Sequence, residues 1–400
     1  MWKRVIPFLV LLFFILLSDA VLADWVPGYL QDVLGSPMKM GLMMALSSAV
    51  GFVMDLLFPQ ILRSSGVRRL AGGAIVGALI FLSSMLTSTW WSYGLIIAIG
   101  MAAWGIYYEL DAFMTQQFVA GVAARDQRSS VWGVVGVVRN LAYFTGPLLG
   151  SYLAVYGDRV VVMSAAAVLG IAYILLSLLN LPRKEESDID FHGVSIREEL
   201  SHWWILGVRV WPILLVSLTA GLIDATFWTT GTVLNDTLAE LHLMGDWFVS
   251  AYMFPALFMG IWVAKWGIDS GKKKWAERLL LVGGVFLGLL GTIKTIPLML
   301  LVIVLASACL AASWPLTDAV YTDLVARARR GRKHIIGMSS AALSLAYVIG
   351  PILAGGLAGR VGELESFSYL GGLVVLVALV LLFVTPRKLK LPQDEIQSWK

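Results

Sequence analysis

Charge is scarce in this sequence. Asp, Glu, Lys and Arg make up 14% of its 400 residues, against about 25% in a water-soluble domain. Cysteine is almost missing: the single Cys309 lies in an apolar run, so no disulfide can form within the chain. Four histidines (His192, His202, His242, His334) are scattered without metal-ligand spacing, so no metal or cofactor is expected. No G-x-x-x-x-G-K-[ST] loop occurs, and "GIDSGKKK" at 267–274 is one residue short of it. H-E-x-x-H and G-x-S-x-G are also missing. These gaps exclude a disulfide scaffold and a histidine metal centre, and leave nucleotide-driven pumping without support.

What is abundant is apolar surface. Apolar residues are 58% of the chain and the mean hydropathy is +0.81. A soluble protein of this size cannot bury so much, which leaves a multi-spanning membrane protein. The net charge of +4 then reflects basic loops better than a nucleic-acid partner. The expected partners are the lipid bilayer, a small-molecule substrate and protons, with no nucleic acid, and the chain is expected to be a monomer.

A bilayer core of about 30 Å needs about 20 apolar helical residues. Twelve stretches qualify, near 5–25, 38–61, 70–89, 93–120, 132–155, 160–181, 208–234, 247–267, 278–296, 297–324, 336–359 and 367–385. Only Lys294 and Pro297 separate the ninth from the tenth. The first stretch, with Lys3 and Arg4 before it, is read as a span and not as a cleavable signal. With the N-terminus placed in the cytoplasm, 25 of the 30 Lys and Arg fall on the cytoplasmic side. Four (Lys39, Arg159, Lys294, Arg360) fall opposite, and Arg139 lies within a helix. The expectation is an all-α protein of the cell membrane with both termini cytoplasmic.

The chain repeats itself. "RNLAYFTGPLLGSYLA" at 139–154 aligns with "LSLAYVIGPILAGGLA" at 343–358, with eight of sixteen positions identical. Asp111 in "LDAFMTQ" falls on Asp318 in "TDAVYTD" at an offset of 207. Two pseudo-symmetric six-helix bundles follow, at 1–182 and 208–386, with a cytoplasmic linker at 183–207 and a tail at 387–400. In the linker, Ser195 to Glu198 is an S-x-x-E capping box before Leu200, Trp203 and Trp204. It predicts a short amphipathic helix on the membrane surface, a mechanical tie between the bundles.

Asp-Ala pairs occur at Asp19, Asp111, Asp224 and Asp318, in spans one, four, seven and ten. Chance accounts for a common dipeptide, but the regular spacing in span number favours four carboxylates facing one cavity. A charge at the bilayer centre costs about 2.5–3.5 kcal/mol on insertion scales, so such residues line water or pair. Asp55 and Glu109 are two more acids of this kind. Arg139 and Asp111 each lie about eight residues from the cytoplasmic ends of their spans, about 12 Å deep. They predict an ion pair, with Glu109 as the competing partner. Leu343 replaces Arg139 in the second half, leaving Asp318 without that partner. Asp224, mid-span with no base within a turn, is the best candidate for a proton site. Trp228 beside it, and Tyr108, Asn140, Tyr143 and Tyr347, would wall the substrate. Trp90, Trp91 and Trp203 are of the interfacial kind.

On these features the chain resembles the major facilitator superfamily over essentially its full length. The family's loop after span two reads roughly G-x-x-x-D-R-x-G-R-R. Here Gly66, Arg68 and Arg69 match, while Pro59 and Arg63 replace the first Gly and the Asp. In the second half Gly260, Lys265 and Gly267 match, and Ala264 replaces the Asp. The resemblance implies a cytoplasmic latch at this loop, whose acid is missing in both copies. Gly146-Pro147 with Gly150 looks like the Gly-Pro-x-x-Gly-Gly motif of proton antiporters. Its second copy, Gly350-Pro351, equally fits a plain bend for helix packing. The resemblance implies a secondary active transporter working by alternating access, proton-coupled, in efflux or uptake. The alternative is a polytopic membrane enzyme acting on lipid.

Overall fold

In the computed structural model the chain is helical, with no strand among the described residues. The structure describes residues 2–61, 65–91, 93–122, 128–179, 181, 196–266, 271–328, 332–386, 389–392 and 395. The first six spans are α1 (Trp2–Leu34), α2 (Pro37–Ile61), α3 (Val67–Ser88), α4 (Gly94–Val122), α5 (Arg128–Ala154) and α6 (Asp158–Leu178). The seventh joins α7 (Ile196–Thr226) to α8 (Thr232–Leu241) through a π-helical turn, Phe227–Gly231. The eighth joins α9 (Phe248–Met253) to α10 (Met259–Trp266) through a 3₁₀ turn, Phe254–Leu257. The last four are α11 (Lys272–Leu289), α12 (Ile296–Arg327), α13 (Arg332–Val361) and α14 (Glu363–Val384). Eleven of these rods are long and apolar enough to cross a membrane; α5, which carries Arg139 and Asn140, is the twelfth.

Buried apolar side chains gather in one cluster drawn almost wholly from residues 5–181, and in two from residues 206–391. The halves are built alike. α1 packs on α5 as α7 packs on α13. Gly157 before α6 has φ +104° and Gly362 before α14 has φ +101°. A side chain there would be strained, so the same glycine turn feeds the last span of each half.

Three sequence expectations need correction. The linker does not form a separate surface helix: α7 begins at Ile196 and runs unbroken past Trp203 and Trp204. Leu206, Val210 and Ile213 continue one buried face, and no proline intervenes before Pro212, so nothing stops the helix at 207. Ser195 lies outside the described residues. The eighth span is not one α-helix, because Pro255 removes a backbone donor and tightens the chain into a 3₁₀ turn. The second-half loop motif is helical from Gly260 through Trp266, within α10, and Gly267 lies outside the described residues. In the first-half motif, Gly66 is the N-cap of α3, and Arg68 donates to the Leu179 carbonyl at 3.4 Å. Arg69 is exposed, and Arg63 lies outside the described residues.

One buried ionic knot fastens the second half. The Lys273 ammonium lies 2.5 Å from Oε1 of Glu277 and Lys274 lies 3.1 Å from Oε2. Lys274 also donates to the carbonyls of Leu381 and Leu382, and Lys273 to Thr385 and to the Pro386 carbonyl. The lysines thus sit where the C-terminal end of α14 presents free carbonyls and negative dipole.

Close backbone approach sets the spacing within the second bundle. A Cβ on Gly371 of α14 would fall 2.2 Å from the backbone nitrogen of Gly288 on α11. Gly371→Val is expected to destabilise the detergent-solubilised protein by about 1–3 kcal/mol through overpacking. An unchanged thermal unfolding transition would contradict that contact.

Candidate functional site

A cavity of about 700 Å³ lies between the two halves. Its lining includes Glu109, Asp111, Arg139, Asn140, Tyr143, Asp224, Trp228 and Tyr347. Tyr108, Trp104, Tyr252 and Trp314 add aromatic wall. The lining runs as far as Gly51 and Ala112. These lie about 21 and 27 Å along α2 and α4 from the ends remote from the termini, at 1.5 Å per residue. The described contacts between the halves lie at or beyond mid-depth on that remote side. There, a Cβ on Gly41 of α2 would fall 2.1 Å from the Pro351 carbonyl, and one on Gly355 2.2 Å from the Pro37 carbonyl. Gln31 donates to Glu363 at 2.9 Å. At mid-depth Asn140 donates to the Ala256 carbonyl at 2.7 Å. The cavity is therefore shut at the remote end and extends toward the end that holds the termini.

Two aspartates at the core of the site are held in the same way. The Tyr143 hydroxyl donates to Oδ2 of Asp19 and the Trp104 indole N–H to Oδ1, both at 2.6 Å. In the second half the Tyr252 hydroxyl donates to Oδ1 of Asp224 at 2.6 Å, and the Tyr347 hydroxyl donates to Oδ2. Tyr143 and Tyr347 are equivalent by the repeat. Two sequence pairs noted separately meet at these points. A Cβ on Gly146 would lie 2.3 Å from Cβ of Ala20, and one on Gly350 2.6 Å from Cβ of Ala225. The glycine of each Gly-Pro pair admits the alanine of an Asp-Ala pair, which carries the aspartate up to its tyrosine. Pro147 and Pro351 follow inside α5 and α13, where each removes a backbone hydrogen bond.

Aromatic stacking fixes the donors. Trp104 stacks on Phe81 with centroids 4.6 Å apart, and Tyr252 on Phe227 at 3.8 Å. Tyr108 tilts against Trp104 at 5.4 Å, and Tyr143 meets Trp228 edge-on at 5.2 Å across the halves. The π turn starts three residues after Asp224, and the Thr229 hydroxyl within it donates to the Ala225 carbonyl. Such turns occur often at functional sites.

The halves differ in charge. Arg139 lies 3.7 Å from Asp111, as depth arithmetic predicts. Glu109 lines the cavity beside them. Where Arg139 stands in the first half, Leu343 lines the cavity in the second. Of the four aspartates expected to face one cavity, only Asp111 and Asp224 line it; Asp318 is exposed and outside the lining. Its repeat equivalent Asp111 is paired with Arg139, whereas the position equivalent to Arg139 in the second half holds Leu343. Asp19 stands directly behind Tyr143 and Trp104 rather than on the cavity surface. Among the loop-motif residues Gly260 lines the cavity, whereas Lys265 is exposed. Asp55 carries a side chain outside the described set. Trp104 and Tyr252 were not singled out by sequence reasoning; the only signal was their place among apolar residues that need a partner for a polar tip.

The sequence model of the Major Facilitator Superfamily matches residues 213–400. Its second half is therefore similar to that family in sequence. Solved transporters share its fold over nearly its whole length. A peptide transporter of the POT family in complex with sulfate is 13% identical, with a TM-score of 0.73, covering 96% of this chain and 94% of that one. A POT family transporter in complex with a thioalcohol-conjugated peptide is 12% identical, with a TM-score of 0.74, covering 95% of each. The human organic anion transporter MFSD10 (TETRAN) is 17% identical, with a TM-score of 0.61, covering 95% of this chain and 99% of that one. No curated protein matches the chain in sequence. The chain is thus a multi-pass membrane protein with the fold of these solved transporters.

Each clamped carboxylate depends on its donors. Tyr252→Phe or Tyr347→Phe leaves one oxygen of Asp224 without a partner, and each is expected to cost about 1–3 kcal/mol. Thermal unfolding of the single and double variants measures this, and additive small losses below 0.5 kcal/mol would show that water substitutes freely.

Proposed function

We propose that this protein is a secondary active transporter that moves a small solute across the cell membrane by alternating access, coupled to protons. The observation that carries the reading is the matched pair of buried carboxylates, Asp19 and Asp224, one in each half, at a cavity closed at one end. A rocking motion of two similar halves about such a site would expose it to each side in turn. By the loop charges, the termini and the open end of the cavity face the cytoplasm.

The two halves have different tasks in this reading. Asp111 is balanced by Arg139. Among the described residues Asp224 faces the cavity with only neutral donors on its oxygens, so its counter-charge comes from a proton or from the solute itself. Among the described lining residues, Asp111 is matched by Arg139 and Asp224 by no base, which makes the cavity better suited to a cationic or zwitterionic solute than to an anion. The aromatic wall suits a partly apolar body. Peptides, which the POT relatives carry, are zwitterions of this general kind.

Flux into proteoliposomes under an imposed pH gradient tests the reading. Asp224→Asn is expected to abolish gradient-driven accumulation while leaving solute exchange without a gradient. Accumulation equal to wild type would remove Asp224 from proton coupling. Arg139→Ala is expected to reduce transport at least tenfold, and the charge-swapped Asp111→Arg, Arg139→Asp pair to restore part of it. Normal transport by Arg139→Ala would make the ion pair structural only. A ligand-stabilisation screen across cations, zwitterions and anions identifies the solute class, with selective stabilisation by anions as the contrary result.

A further inference from the structure

The closed end of the cavity is sealed by a polar chain that crosses from one half to the other. Asn235 of α8 is fully buried, and its Oδ1 accepts the Phe248 backbone N–H at 3.1 Å. Its side-chain N–H₂ donates to the Ser151 hydroxyl of α5 at 2.9 Å. Ser151 in turn donates to Oδ2 of Asp24 on α1 at 3.2 Å. Asp24 is 1% exposed, and its Oδ1 is buried with no hydrogen-bond partner among the described residues. A Cβ on Gly150 would fall 2.9 Å from Oδ2 of Asp24, so α5 packs directly against the carboxyl beside Ser151.

The charges around Asp24 share its sign. Asp236 of α8 and Asp246 ahead of α9 are the charged groups that act on it. Asp236 lies over Gly28, one turn further along α1, where a Cβ would be 2.6 Å from its Oδ2. Asp32 and Glu240 extend the acidic run around Asp236. From α6, Asp158 is engaged with the Trp25 indole at 2.8 Å. On α2, Lys39 is exposed, and α5 offers Ser151. An ionised Asp24 in this seam would be a buried charge opposed by two further acids, which is costly unless something neutralises it. A protonated carboxyl removes that cost, and opening the seam admits water to a charged one.

We infer that Asp24 is a second proton-binding site, built into the seam that closes the far end of the cavity and separate from the central carboxylates. The closed seam holds the proton; the open seam releases it. This inference rests on the alternating-access reading. It adds that closure of the far side is itself driven by protons, even with no solute bound.

Spin labels at Val155 and Leu243, in a Cys309→Ser background, read the seam. These positions lie on the α5–α6 and α8–α9 connections and are 82% and 96% exposed. Double electron–electron resonance in nanodiscs is recorded across about pH 5 to 8. Linkage to one proton raises the open-to-closed ratio by up to about tenfold per pH unit. The expected result is a long-distance population that grows with pH in wild type and in Asp224→Asn, and a closed seam at all pH values in Asp24→Asn. Should Asp24→Asn fail to insert, Ser151→Ala is expected to displace the midpoint of the wild-type response, and an unmoved midpoint overturns the site. A wild-type pH response that survives in Asp24→Asn, or vanishes in Asp224→Asn, also overturns it. A response to Na⁺ at fixed pH overturns the proton as ligand. A seam that opens with solute but ignores pH overturns this inference alone, whereas a seam that never opens overturns alternating access as well.

Discussion

A carboxylate in the middle of a membrane protein must be met by donors, by a base or by water, and the packing of this chain is organised around meeting that need. Asp19 and Asp224 each receive two hydrogen bonds, one on each oxygen. To receive them, α1 must touch α5 and α7 must touch α13 without a side chain between. Glycines at 146 and 350 allow it. The stacked aromatics behind Trp104 and Tyr252 then hold the donors in one rotamer each. A change in any of these layers moves the acid, and the cavity wall moves with it.

The repeat explains why there are two such clamps, but the departures from it bear most on function. An exact twofold copy would balance both halves or neither. Here Arg139 neutralises one side and Leu343 leaves the other open. The π turn after Asp224 and the broken eighth span both fall in the second half. The second half is thus the less regular one, with its helices interrupted where they face the cavity.

Much of this was legible in the sequence because lipid imposes long, simple patterns. Apolar windows marked the spans, including the weak boundary at Lys294 and Pro297, where α11 ends and α12 begins. Equal depth on adjacent spans brought Arg139 to Asp111. Depth says nothing about rotation about the helix axis, which is why Asp318 was placed in the cavity and lies outside it. Long-range donors leave no local mark, so Trp104 and Tyr252 were missed. Pro255 is a local signal for the break in span eight, one that an apolar window does not register. The linker was read from its polar flank, whereas helix continuity depends on breakers, and no proline precedes Pro212 within α7.

The lysine–glutamate knot at the start of α11 gives the last turn of α14 and the two residues after it an unexpected standing. Residues 381 to 386 supply carbonyls and a hydroxyl to two ammonium groups that have left water. Without that segment, three charges would remain inside with an incomplete set of ligands. The end of the final span, with the two residues beyond it, therefore works as a clasp between the ninth and twelfth rods, and the second half becomes a closed unit only once it is in place.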